Sequence, residues 1–160
     1  MLGVARPTSR RRIIVALAIA TVALGTVAAP AMAGDGLRSR MVQRINASRA
    51  QHGLRPLRLH PALSRDALRH TRVMLRQNRL FHPPNLEQIL QRYPLRHLGA
   101  AAVGCDASPG RLHRSLMASS VHRDILLHPR LRRVGVGIVR TPGATRCGRG
   151  SYWVTELFYG

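Results

Sequence analysis

From Leu37 to Gln51 apolar residues recur at helical spacing. Met41, Val42, Ile45 and Ala50 fall near one face, and Arg38, Arg40, Arg44 and Arg49 fill the rest. His52-Gly53 supplies a stop. Leu54 to Leu59 is a link that no helix crosses, because Pro56 lies inside it. His60-Pro61 opens a second helix with proline at its first position, and Leu63, Ala67, His70, Thr71 and Met74 form its inner stripe as far as Asn78. Phe81-His82-Pro83-Pro84 is a loop, since paired prolines prevent helix, and Asn85 caps a short helix ending near Tyr93. Arg96 to Asp106 is rich in Ala and Gly and is expected to be irregular or a short strand. Ser108-Pro109 begins a helix to Ala118, and another short helix runs from Ser120 to Leu127 before His128-Pro129 ends it.

The period then changes from helical to alternating. Val134, Val136 and Ile138 alternate with Gly135, Gly137 and Val139; Tyr152, Val154 and Phe158 alternate with Trp153, Thr155 and Leu157. Both stretches predict strands, joined by a long hairpin loop, Thr141 to Gly150, that contains Cys147. Tyr152, Trp153, Phe158 and Tyr159 are four of only six aromatic residues, so this hairpin is expected at the centre of the core.

Residues 1–33 read as a signal peptide. Arg6, Arg10, Arg11 and Arg12 precede an uncharged apolar run, Ile13 to Ala29, and Ala31-Met32-Ala33 is a small-x-small cleavage site followed by Gly34. The run of 17 residues is at the short limit for a membrane span of about 17–25, so an uncleaved N-terminal anchor is the alternative. Either way the remaining chain is expected outside the cytoplasm: a short segment, 34–36, and one domain, 37–160. With the signal cleaved, no integral membrane protein remains.

The chain has 160 residues, with 26 basic residues (all Arg) against 6 acidic ones, for a net charge of +20. Removing the first 33 residues takes four arginines with it and leaves 127 residues at +16, so most of the basic excess belongs to the folded domain. An apolar content of 45% excludes a wholly disordered polymer. Such a charge suits anionic surroundings, and at the cell exterior these are envelope polymers or lipids. Arg65, Arg69, Arg72, Arg76 and Arg79 form one broad positive face on the second helix; the alternatives are adhesion to a polyanion and an ordinary solvated face. No aromatics interleave with them, so specific nucleic-acid recognition is not expected. Two cysteines are too few for a disulfide framework, but export permits a Cys105–Cys147 bridge; the alternative is two free thiols.

Several strings, taken in order, resemble the CAP superfamily in its bacterial exported form, the SCP/PR-1-like group of cysteine-rich secretory, antigen 5 and pathogenesis-related proteins. They are Ile45 to Ala50 with Gly53 to Leu57; His70 and Met74; Leu80-Phe81-His82; Leu116 to Leu126; and Val134 to Gly137 closed by Tyr152 to Phe158. The resemblance spans residues 37–158. It implies an α/β/α sandwich with a small antiparallel sheet between helices. It also implies a cleft where many members hold a divalent metal with two His and two acidic residues. The histidines match His82 and His122. The family's Gly-Glu-Asn string falls on Gly99 to Gly104, which puts Ala where Glu stands, and the second acid falls near Ser119. The only Glu residues, Glu87 and Glu156, sit at neither position. Imidazoles and carboxylates together make a zinc-type site. Two histidines alone are expected to bind a divalent metal such as zinc weakly, or to serve as a structural pair.

Three function classes therefore remain. The first is a secreted, non-enzymatic binding protein acting on an anionic envelope polymer, a lipid or a protein, with no catalytic residues. The second is a weak metal-dependent enzyme or metal-binding protein using His82 and His122. The third is a small cationic protein that damages competing membranes. A Ser/His hydrolase built on His122 with Ser119 or Ser120 lacks both a nucleophile-elbow string and an evident orienting acid apart from Asp124. Asp124 is expected in the first turn of its short helix. Asn46-Ala47-Ser48 fits a glycosylation sequon but lies within a predicted helix, where it is expected to pack. His52, His60, His97, His113 and His128 have no metal-ligand spacing and are expected at the surface or as caps.

Overall fold

The structure, a computed structural model, describes residues 33–94 and 98–160. The N-terminal apolar run and His97 lie outside the described residues. The elements are α1 (Ala33–Gln51), β1 (Arg58–Leu59), α2 (Pro61–Arg76), α3 (Leu86–Leu90), β2 (Gly99–Asp106), α4 (Pro109–Ala118), α5 (Ser120–Leu126), β3 (Arg133–Arg140) and β4 (Tyr152–Tyr159). One sheet, ordered β1-β3-β4-β2, lies between two helical layers. The three long strands are antiparallel, and the two-residue β1 adds a parallel edge to β3. No helix among the described residues is long and apolar enough to cross a membrane.

Alternation along β4 divides the core. Val154 and Phe158 face α1, α4 and α5, where they pack with Met41, Ile45, Leu112 and Leu126. Trp153 and Leu157 face the other way, Leu157 with Leu63 and Ala67 of α2 and Trp153 with Met74 of the same helix. The stripe on α2 is buried as its spacing predicts, with Ser64 and Asp66 added. The hairpin is the centre of the core, as its aromatics suggest.

Local chemistry sets the element ends. Gly53 takes φ +66° after α1, the Gly53 N–H donates to the Ala50 carbonyl, and the Leu54 N–H donates to the Arg49 carbonyl. This pattern satisfies carbonyls that the helix end leaves open. His60 caps α2, its Nδ1 accepting from the Leu63 N–H at 3.2 Å, and Ser108 caps α4 by accepting from the Arg111 N–H at 3.2 Å.

Four expectations are corrected. On α1, Arg49 is fully buried and Ala50 is exposed, because the guanidinium donates to the carbonyls of Arg55, Leu126 and His128 at 2.9, 2.7 and 3.2 Å. The Ala-Gly-rich stretch contains an eight-residue strand, β2, since β4 pairs with it along its whole length. His113 is buried, bonded to the Ser48 hydroxyl at 2.8 Å. Asp124 lies in the second turn of α5, not the first. The Asn46-Ala47-Ser48 string does pack: the Asn46 amide donates to the Leu57 carbonyl and accepts from the Leu57 N–H.

Candidate functional site

His82 stands in the loop between α2 and α3. Phe81 anchors that loop, its ring meeting the His70 ring edge-on at 5.0 Å with the Arg79 guanidinium over it at 5.1 Å. Pro83 is buried, so His82 projects outward from a fixed base. His122 comes from α5, and its ring lies nearly parallel to that of His82, with centroids 6.4 Å apart and planes 20° apart. The fold thus brings together two histidines 40 positions apart in the chain. Burial, then the neighbouring His82, lowers the pKa of His122 below the ordinary imidazole value. The same two causes act on His70, whose Nδ1 lies 3.0 Å from the Thr155 hydroxyl.

Three carboxylates are placed elsewhere. Asp66 on α2 takes Arg69, Arg92 and the Tyr93 hydroxyl. Asp106 takes Arg111 at 3.1 Å and the Ser115 hydroxyl at 3.0 Å. Glu156 is fully buried within β4. The Ala positions of β2 offer no donor. Ser119 reaches His122 Nδ1 with its hydroxyl at 3.1 Å, which ties that ring nitrogen to a neutral group. Among the described residues no group of three or more His, Cys, Asp or Glu could hold a metal ion. Two imidazoles are half of the ligand set of a stable zinc-type centre, which wants four ligands. The Ser119–His122 contact has hydroxyl-to-base geometry, yet no acid among the described residues is bonded to the imidazole as the third member of a hydrolytic triad would be.

Sequence reasoning missed a cavity of 640 Å³ that runs between α2 and α3. It is lined by Asp66 and His70 from α2 and by Gln77 just after it, with Phe81, Gln88 and Arg92 opposite. The signal in the chain is the helical spacing of 66, 70, 73 and 77, but only the placement of α3 turns that stripe into a wall.

Residues 42–158 match the model of the cysteine-rich secretory protein family, CAP. The chain belongs to the CAP family. Among solved structures, the CAP domain resembles an extracellular protein containing an SCP domain from Bacillus anthracis, with TM-score 0.63, 22% identity and 79% of this chain covered. It also resembles an outer surface protein from Borrelia burgdorferi, with TM-score 0.63 and 14% identity, over 76% of this chain and 90% of that one. A cysteine-rich secretory protein from Staphylococcus aureus gives TM-score 0.58 at 21% identity over 80% of this chain. The CAP domain spans about two fifths of the Bacillus and Staphylococcus chains, 41% and 40%. No curated protein matches the sequence significantly.

The disulfide Cys105–Cys147 is formed, with Cα atoms 6.0 Å apart. It links the end of β2 to the hairpin loop and lies beside Trp153. That loop is also held to the end of α2, where the Arg146 N–H donates to the Asn78 side-chain oxygen at 2.8 Å.

Proposed function

We propose that this CAP domain is an exported, non-enzymatic binding module of the cell exterior, with anionic envelope polymers or lipids as ligands. The observation that carries this reading is the cleft itself: His82 and His122 stack with a serine, not a carboxylate, as the hydrogen-bond partner. The exposed arginines supply the attraction to polyanions. The signal-like segment 1–33 supports export, as do the extracellular and outer-surface descriptions of two structural relatives. An uncleaved anchor would hold the same domain at the same face of the membrane.

The test is retention of the purified protein on cell-envelope fractions across a salt series. Retention at low salt that falls steeply towards about 0.5 M salt is expected, because screening shortens the reach of surface charges. Absence of retention at every salt concentration overturns the reading.

The stacked histidine pair favours one second reading, a weak divalent-metal site. Calorimetric titration with zinc decides it. Binding weaker than about 0.1 mM is expected, since two imidazoles are half of a zinc ligand set. Micromolar binding lost in both His82→Ala and His122→Ala would establish the metal site instead.

A further inference from the structure

A second pocket, of 370 Å³, is lined by Arg55, Pro56, Arg58, Arg132 and Arg133. Four of its five lining residues are arginines and none is acidic. Two chain segments about 75 positions apart build it. They meet because β1 pairs in parallel with β3, in the register Arg58↔Arg133 and Leu59↔Val134. The Arg58 N–H donates to the Arg132 carbonyl at 2.9 Å, and the Arg132 N–H donates to the Tyr159 carbonyl at 3.0 Å.

The base of this pocket is fixed. Leu57 is buried, and both of its backbone polar groups are held by the Asn46 side chain. Buried Arg49 donates to the carbonyls of Arg55, Leu126 and His128, so one guanidinium ties the Arg55 segment to the end of α5, from which the chain runs on to Arg132 and Arg133. Arg132 donates to the Pro129 and Leu131 carbonyls of its own loop. None of the four lining arginines has a carboxylate partner among the described residues; the ion pairs there belong to Arg69, Arg92 and Arg111. Neighbouring His60 is lowered in pKa by burial and then by Arg133 and Arg65, in keeping with a positive field at this rim.

Four like charges converging without an acid repel one another, and a bound polyanion offsets that cost. Guanidinium forks match phosphoryl oxygens in bidentate geometry. One carboxylate would neutralise a quarter of this charge, whereas two successive phosphodiesters neutralise half of it and a diphosphate most of it. The volume lies at the low end of ligand pockets, about 300–1,000 Å³, and suits a head group. We infer that the Arg55/Arg58/Arg132/Arg133 pocket is a binding site for a phosphoryl-bearing anion. This rests on the polyanion reading above and gives it a location.

The probes are inorganic pyrophosphate, by calorimetry, and vesicles of phosphatidylglycerol in phosphatidylcholine, by co-sedimentation, at roughly 0.15 M salt. The variant Arg55→Gln/Arg58→Gln is compared with Arg72→Gln/Arg76→Gln, which removes the same charge from the exposed face of α2. Binding of at least one probe is expected. It should weaken about tenfold in the first variant and less than about twofold in the second. Pyrophosphate binding assigns a soluble or polymeric phosphate, and vesicle binding alone assigns a lipid head group. Arg55→Lys/Arg58→Lys keeps the charge but loses the forks, and should weaken binding about threefold; it carries the test if the Gln pair does not fold. Equal loss in the Gln pairs overturns the site and leaves a diffuse polyanion surface standing. No binding of either probe, with envelope retention intact, overturns the phosphoryl assignment alone.

Discussion

Glu156 sits at the middle of β4 between Ala102 of β2 and Val136 of β3, and both its carboxylate oxygens are buried without a partner. Burial pushes its pKa from 4.5 up to about 8, so the folded state holds a proton that the unfolded state releases. Stability contributed by that proton is full below 4.5 and is lost as pH rises towards 8. The histidines act with opposite sign. His60, His70, His113 and His122 are all lowered from 6.5, chiefly by burial, so they add stability as pH rises to 6.5 and nothing beyond it. Between pH 6.5 and 8 Glu156 therefore sets the slope among the described residues, at about 1.4 kcal/mol per pH unit. Urea midpoints should fall across that window in the parent and stay level in Glu156→Gln. Parallel curves would show that Glu156 does not hold its proton. At this scale the chain sequence is least informative. An acid inside an alternating strand looks like any outward position. The buried Arg49 finds its acceptors 6, 77 and 79 residues away, and His113 finds Ser48 65 residues away.

Elements with a strong period declare themselves, and those made by pairing do not. The stripe of α2 and the alternation of β3 and β4 follow from spacing alone. Gly135 and Gly137 look like interruptions of a strand, yet they are what lets α2 lie on β3: a Cβ at Gly137 would run into the Ala67 and Leu68 backbone. β2 has only Val103 as a β-branched residue, and it becomes a strand because eight of its positions pair with β4. β1 is two residues long and exists only as a partner of β3. The candidate sites divide in the same way. His82 and His122 are found from ordered strings that carry the family pattern. The arginine pocket depends on the β1–β3 pairing, and no spacing along the chain announces a contact between residues 58 and 133.

Over the whole molecule the scarcity of acids organises the charge. Asp66 and Asp106 are used to hold α2 to the segment after α3 and to fix the start of α4, and Glu156 is buried, so little negative charge remains to balance the arginine surface. Repulsion across a +20 chain loosens its compact state. The compensating constraint is the one covalent tie among the described residues, Cys105–Cys147, whose ends are 42 positions apart in sequence. It joins β2, an edge strand, to the loop that closes the β3–β4 hairpin, over the Met74, Val103 and Trp153 cluster. In the chain-entropy model a loop of that size stabilises by about 3–4 kcal/mol. For a domain of this size that is a melting-temperature difference on the order of 10 °C. Cys105→Ser/Cys147→Ser should therefore melt lower by that amount. Added salt should recover part of the difference, because it screens the repulsion that the bridge opposes. Equal melting temperatures with and without the bridge would mean that the core alone holds β2 against the hairpin.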